Sequence, residues 1–177
     1  MERGLLSNHR AKALKPVSLA MTEVQDLRAR KRVPGGLRLH EYVNLYVCAR
    51  NPMLYKRLGH RHDACVLSVS PDVLDIDGVV VTDQNAASKY VRYGSGSSGL
   101  AIVDRDLTFA EYWTDDDPVT QFRRSSAKCA EVLVPNRIQS TFIQAAYVCS
   151  SVPRGKIEAL GLRIKVIENS PLFFNCR

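Results

Sequence analysis

The chain has 177 residues, 45% hydrophobic and 24% charged, which excludes a disordered or fibrous polypeptide and suffices for one domain with a substantial core. No window approaches the roughly 18 consecutive apolar residues of a membrane span, and the start Met1-Glu2-Arg3-Gly4-Leu5-Leu6 lacks the apolar core of a signal peptide; no membrane is expected, and the cytoplasm is the default location. A balance of 25 Lys plus Arg against 18 Asp plus Glu gives a net charge of +7, compatible with a polyanionic partner but not diagnostic of one.

In chain order, residues 1–6 read as the last turn of a helix closed by Gly4. From Val17 to Arg32, apolar Val17, Ala20, Met21, Val24 and Leu27 recur at helical spacing, and the far end is the cluster Arg28, Arg30, Lys31 and Arg32. That cluster is either a solvated helix end favoured by the macrodipole or a phosphate-contacting patch. Pro34-Gly35-Gly36 ends the helix and leads to H-E-Y-V-N-L-Y-V-C-A-R-N-P-M-L-Y, residues 40–55. Within it Tyr42 to Val47 has strand composition, and Arg50 stands at the strand end, just before the break at Asn51-Pro52.

The following K-R-L-G-H-R-H-D reads as a basic surface loop, and His60, His62 and Asp63 lack the further spaced ligands of a metal site, so no metal is expected. Cys65 to Val69 is the next strand, Ser70 caps a helical turn with Pro71 at its first position, and Val79 to Val81 is a third strand. Asp83 is expected to cap a helix running to Tyr93, and G-S-G-S-S-G at 94–99 to be a flexible linker, since no Lys and Ser/Thr follow to complete a phosphate loop.

Asp104 to Trp113 is expected to be a short amphipathic helix with Leu107, Ala110 and Trp113 inward, broken by T-D-D-D-P at 114–118. Arg123, Arg124 and Lys128 then lead into A-E-V-L-V at 130–134, where Glu131 occupies a strand position at which an ionised carboxylate is costly to bury without a partner. Phe142 to Cys149 and Leu162 to Ile167 are further strands, with a turn at Pro153-Arg154-Gly155 and a short helix between them. The five cysteines, Cys48, Cys65, Cys129, Cys149 and Cys176, are odd in number and form no C-x-x-C pair, so buried reduced thiols are expected. Mixed strands and short helices without a βαβ repeat point to an α+β single domain, a mixed sheet with short flanking helices.

The candidate functional residues are Arg50 and Glu131, a lone cation and a lone carboxylate each embedded in apolar strand. Arg123, Arg124 and Lys128 could hold an anionic substrate beside Glu131, and Tyr42, Tyr46 and Tyr55 offer stacking surfaces, although strand tyrosines are more often core.

The run at 40–55, V-V-V-T-D-Q-N-A-A, the Leu107 to Trp113 segment and A-E-V-L-V-P, in that order and spacing, resemble the DarT-type DNA ADP-ribosyltransferase toxins of toxin–antitoxin systems. The resemblance covers most of residues 1–177, and R-x-P-M-L-Y after an aromatic strand is its most specific element. It implies an ADP-ribosyltransferase-like fold that takes ADP-ribose from NAD+ as co-substrate, without a metal, and transfers it to a base, thymine foremost, in single-stranded DNA. A macrodomain antitoxin is the implied partner. Arg50 and Glu131 match the family's catalytic Arg and Glu, with Arg50 and Tyr55 expected at NAD+ and Tyr42, Tyr46, Arg123, Arg124 and Lys128 at DNA. Family members carry, ahead of the segment matching E-R-G-L-L-S, a strand whose His helps hold NAD+; that strand is absent here, and His9 and His40 do not occupy its position, so weak NAD+ binding is expected.

Such residues suit the chemistry. A carboxylate bonded to the ribose hydroxyl stabilises oxocarbenium character, and a cation stabilises a base that has lost its imide proton. The target base must be unpaired or extruded. Two other functions share these features: a non-catalytic single-stranded nucleic-acid binder, with Arg50 and Glu131 as a structural pair, and an NAD+ glycohydrolase or protein-directed ADP-ribosyltransferase.

Overall fold

A computed structural model describes residues 3–16 and 22–175. A four-stranded antiparallel sheet, ordered β2-β6-β4-β5, carries the site; its strands are β2 (Tyr42–Tyr46), β4 (Val80–Thr82), β5 (Tyr93–Ser95) and β6 (Glu131–Pro135). β6 lies between β2 and β4, so Glu131 stands opposite Tyr46 on one side and Thr82 on the other. A second sheet pairs β3 (Val66–Val69) antiparallel to β8 (Ile143–Val148), and β8 parallel to β9 (Lys165–Glu168). The short strands β1 (Leu5–Leu6) and β7 (Arg137–Ile138) pair with each other. Six α-helices flank the strands among the described residues: α1 (Asn8–Ala11), α2 (Thr22–Arg30), α3 (Pro52–Lys56), α4 (Arg105–Phe109), α5 (Pro118–Ala127) and α6 (Ser151–Glu158).

Strand alternation sorts the central sheet into two faces. Val43, Val81, Val132 and Val134 point into one core with Val73, Val79 and Ile138, against which Val69 and Phe142 pack. Tyr42 and Leu133 point the other way, into a core shared with Val33, Leu39 and Ala86. Glu131 has the parity of Leu133 and is 1% exposed, so it lies on this second face, beside a hydrophobic core and at the edge of a cleft.

Several sequence expectations are corrected. Leu5 and Leu6 form a strand rather than a helix end, and Gly4 (φ +66°) makes the bend into it; a Cβ there would lie 1.9 Å from the Ile138 carbonyl oxygen. The helix read over Val17 to Arg32 is observed as α2, with residues 17–21 outside the described residues. No helix follows Asp83: the segment is a loop closed by the Asp83–Arg92 ion pair, because the Asn85–Ala87 backbone and side chains serve the site. The Gly-Ser run is no linker, since its start is β5, paired to β4, and the rest is a 3-10 helix packed on them. Pro153 and Gly155 lie inside α6 rather than in a turn, and the helix after Asp104 ends at Phe109. Cys149 is buried and Cys48 and Cys129 are half-buried, all free, but Cys65 is exposed, contrary to the buried-thiol expectation; Cys176 lies outside the described residues.

Candidate active site

Glu131 is held by four donors. Arg28 grips it bidentately, Nη1 to Oε1 at 3.0 Å and Nη2 to Oε2 at 2.7 Å; the Ala86 backbone N–H donates to Oε1 at 3.0 Å, and Asn44 Nδ2 to Oε2 at 3.1 Å. The planar guanidinium fork matches the two carboxylate oxygens, the geometry that makes such pairs strong. Arg28 is 6% exposed. Burial works against its charge, but the Glu131 charge and hydrogen bonds outweigh that and raise its pKa above the ordinary arginine value. Thr82 fixes the Glu131 backbone, its hydroxyl accepting from the Glu131 N–H at 3.1 Å and donating to the Gln84 carbonyl at 2.7 Å.

A cleft of about 280 Å³ opens beside this pair, lined by Val24, Arg28, Asn44, Tyr46, Met53, Arg57 and Glu131 among others. The Tyr46 phenol is pushed well above its usual range by burial and then by the Glu131 charge, so it stays a neutral hydrogen-bonding group at any working pH. Helix α3 supplies Met53 to the cleft wall, and its C-cap residue, Arg57, lines the cleft as well. Its start is fixed by Asn51, which is buried, accepts from the N–H groups of Met53 and Leu54 at 2.9 and 3.0 Å, and donates to the Cys48 carbonyl at 2.8 Å. Pro52 at the first helical position needs no N–H partner there.

The sequence-predicted residues divide. Glu131 is the buried centre. Arg50 is not its partner: the guanidinium lies 4.6 Å from the centroid of the Phe174 ring, and Arg28 fills the cationic position on Glu131 instead. Tyr55 is exposed and packs edge-on against Trp113 and Phe174, with centroids 5.8 and 5.2 Å away, so it stands on the opposite side of α3 from the residues that line the cleft. Tyr46 lines the cleft. Tyr42 is corrected to a core residue, 2% exposed, with its hydroxyl accepting from the Leu37 N–H. Lys128 is also corrected: it is 1% exposed, and its ammonium donates to the carbonyls of Thr108 and Ala110 at 3.1 and 2.5 Å, which leaves no surface for a phosphate. Arg124 pairs with Asp115, whereas Arg123 is exposed.

Sequence reasoning missed Arg28, Asn44, Asn85 and Arg57. A signal for Arg28 was present: it follows Val24 by four residues and Met21 by seven, on the apolar stripe of the helix, whereas Leu27 is 60% exposed. The cluster reading hid it among Arg30, Lys31 and Arg32, of which Arg30 and Arg32 are exposed.

The family model described as "ssDNA thymidine ADP-ribosyltransferase, DarT" matches residues 1–170. The chain is 30% identical over 188 residues to a DNA ADP-ribosyl transferase-DNA ADP-ribosyl glycohydrolase fusion protein of Thermosipho africanus, covering 98% of this chain and 46% of that one. It therefore spans about half the length of that curated relative. The fold matches Thermus sp. 2.9 DarT in complex with ADP-ribosylated ssDNA at a TM-score of 0.78 and 26% identity, over 95% of this chain and 86% of that one. It also matches Thermus sp. 2.9 DarT in complex with carba-NAD+ at a TM-score of 0.75 and 25% identity, over 96% and 88% of the two chains.

Proposed function

This chain belongs to the DarT family of ssDNA thymidine ADP-ribosyltransferases, and we propose that it transfers ADP-ribose from NAD+ to thymine in single-stranded DNA. The single observation that carries the proposal is the buried, donor-saturated Glu131 at the wall of an open cleft. NAD+ fits the residues present: Arg57 Nε is buried without a hydrogen-bond partner among the described residues, a donor suited to a pyrophosphate oxygen, and Val24, Leu45 and Met53 offer apolar surface to a planar ring.

Bound NAD+ supplies the ADP-ribosyl group, whose ribose gains positive charge as the nicotinamide bond breaks. Glu131 accepts a ribose hydroxyl and meets that charge with its carboxylate, an interaction stronger in the transition state than before it. Arg28 holds Glu131 in one orientation and prevents it from swinging into the cleft. Arg57, and not the buried Lys128, is the cation proposed to face phosphate from within the cleft. On the other side of α3, Tyr55, Trp113 and Phe174 with Arg50 form an aromatic cluster on which unpaired bases could stack, and Arg123 faces solvent for a backbone phosphate. Extrusion is unnecessary on a single strand, so duplex should be a poor acceptor.

The fusion of transferase and glycohydrolase in the Thermosipho relative supports a partner that removes ADP-ribose from DNA, and with it the part of a toxin restrained by a macrodomain antitoxin. A toxin acting on its own cell's DNA would work in the cytoplasm; no helix among the described residues is long and apolar enough to cross a membrane. The test is incubation with NAD+ and thymine-containing single-stranded oligonucleotide. A DNA product heavier by one ADP-ribosyl group supports the proposal; free ADP-ribose with unmodified DNA would make the chain a glycohydrolase.

A further inference from the structure

The Glu131 carboxylate has no acceptor position to spare. A carboxylate offers about four lone-pair sites, and Arg28 Nη1 and the Ala86 N–H fill those of Oε1 while Arg28 Nη2 and Asn44 Nδ2 fill those of Oε2. The Asn44 group on Oε2 is its NH2 end, because a carboxylate only accepts. On the function proposed above, Glu131 must also accept a ribose hydroxyl, so one donor has to leave. Three are fixed: Arg28 is 6% exposed and bonded through both nitrogens, and the Ala86 N–H belongs to a fully buried residue. Asn44 differs from them. It is exposed, it lines the open cleft, and its carboxamide makes no other hydrogen bond to the described residues.

We infer that Asn44 is the exchangeable donor of the site: its amide occupies Oε2 in the free protein and yields that position to the ribose hydroxyl of NAD+. Only hydrogen bonds change in the exchange, and Asn44 is the one residue of the three donating to Glu131 that is exposed. Because the carboxamide hangs on β2 rather than on a mobile loop, the exchange needs a side-chain rotation and no movement of the sheet.

Isothermal titration of NAD+, without DNA, into the wild type, Asn44→Ala and Asn44→Val decides it. Both variants remove the competing donor at an exposed strand position, and Val suits a strand, so denaturation midpoints near wild type should confirm folding. Water then sits on Oε2 and is displaced more easily, and NAD+ should bind about fivefold tighter in both variants, the equivalent of one ordinary hydrogen bond. A merely positioning Asn44 predicts the opposite sign, because Glu131 would loosen and binding would weaken. Equal or weaker binding by the variants, with clear binding by the wild type, overturns the inference and leaves the proposed function standing. Failure of every form to bind NAD+ overturns both.

Discussion

Arg28 and Glu131 lie 103 residues apart in sequence and form the one buried ion pair among the described residues. Glu131 was legible because a charge at the head of a buried apolar strand cannot be left without a partner. The partner was not legible, since the same need could be met by any cation the fold brings near, and Arg50 at the strand end was an equally reasonable choice by sequence. Arg28→Met leaves the carboxylate buried with its counter-charge gone and should cost about 3–5 kcal/mol in chemical denaturation. Arg50→Met removes no ion pair found among the described residues and should change stability by less than about 1 kcal/mol; equal losses in the two variants would reverse the assignment. Glu131→Gln keeps the size but loses the charge and half of the acceptor sites, and ADP-ribose transfer should fall by about a hundredfold or more.

At the scale of elements, the strands were read within a residue or two at β2, β3, β4 and β6, where β-branched and aromatic residues cluster. Errors fell where backbone groups serve the site or pack closely, which composition does not record. The 83–92 segment looks helical, yet its Ala86 N–H is committed to Glu131. The Gly-Ser run looks flexible, yet a Cβ on Gly99 would lie 2.6 Å from the Gly94 carbonyl carbon and 3.1 Å from the Val81 Cβ. Its glycines therefore permit contact rather than motion. Gly99→Ala should destabilise the protein by about 1–3 kcal/mol, seen as a lower denaturant midpoint; an unchanged midpoint would restore the linker reading. Lys128 is a strut between the end of α5 and the C-terminal end of α4, and Lys128→Met should cost about 1–3 kcal/mol for each carbonyl left without a donor.

For the molecule as a whole, the α+β class followed from the order of elements alone and the solved relatives share the fold, but the strands among the described residues divide into three sheets rather than one mixed sheet, and the sheet that carries the site is wholly antiparallel. The net charge of +7 acquires meaning only once its members are sorted. Arg28 and Lys128 are spent inside the protein, whereas Arg123 is exposed. Arg123→Ala should therefore lower the log–log salt slope of single-strand binding by about 0.7, one phosphate contact, and Lys128→Met should leave that slope unchanged. The most direct test of the central claim is a mass measurement on thymine oligonucleotides, single-stranded and duplex, after incubation with NAD+ and either the wild type or Glu131→Gln. Addition of one ADP-ribosyl group to the single strand by the wild type, with far less on the duplex and almost none by the variant, is the expected result; equal modification by the two proteins would contradict the role given to Glu131.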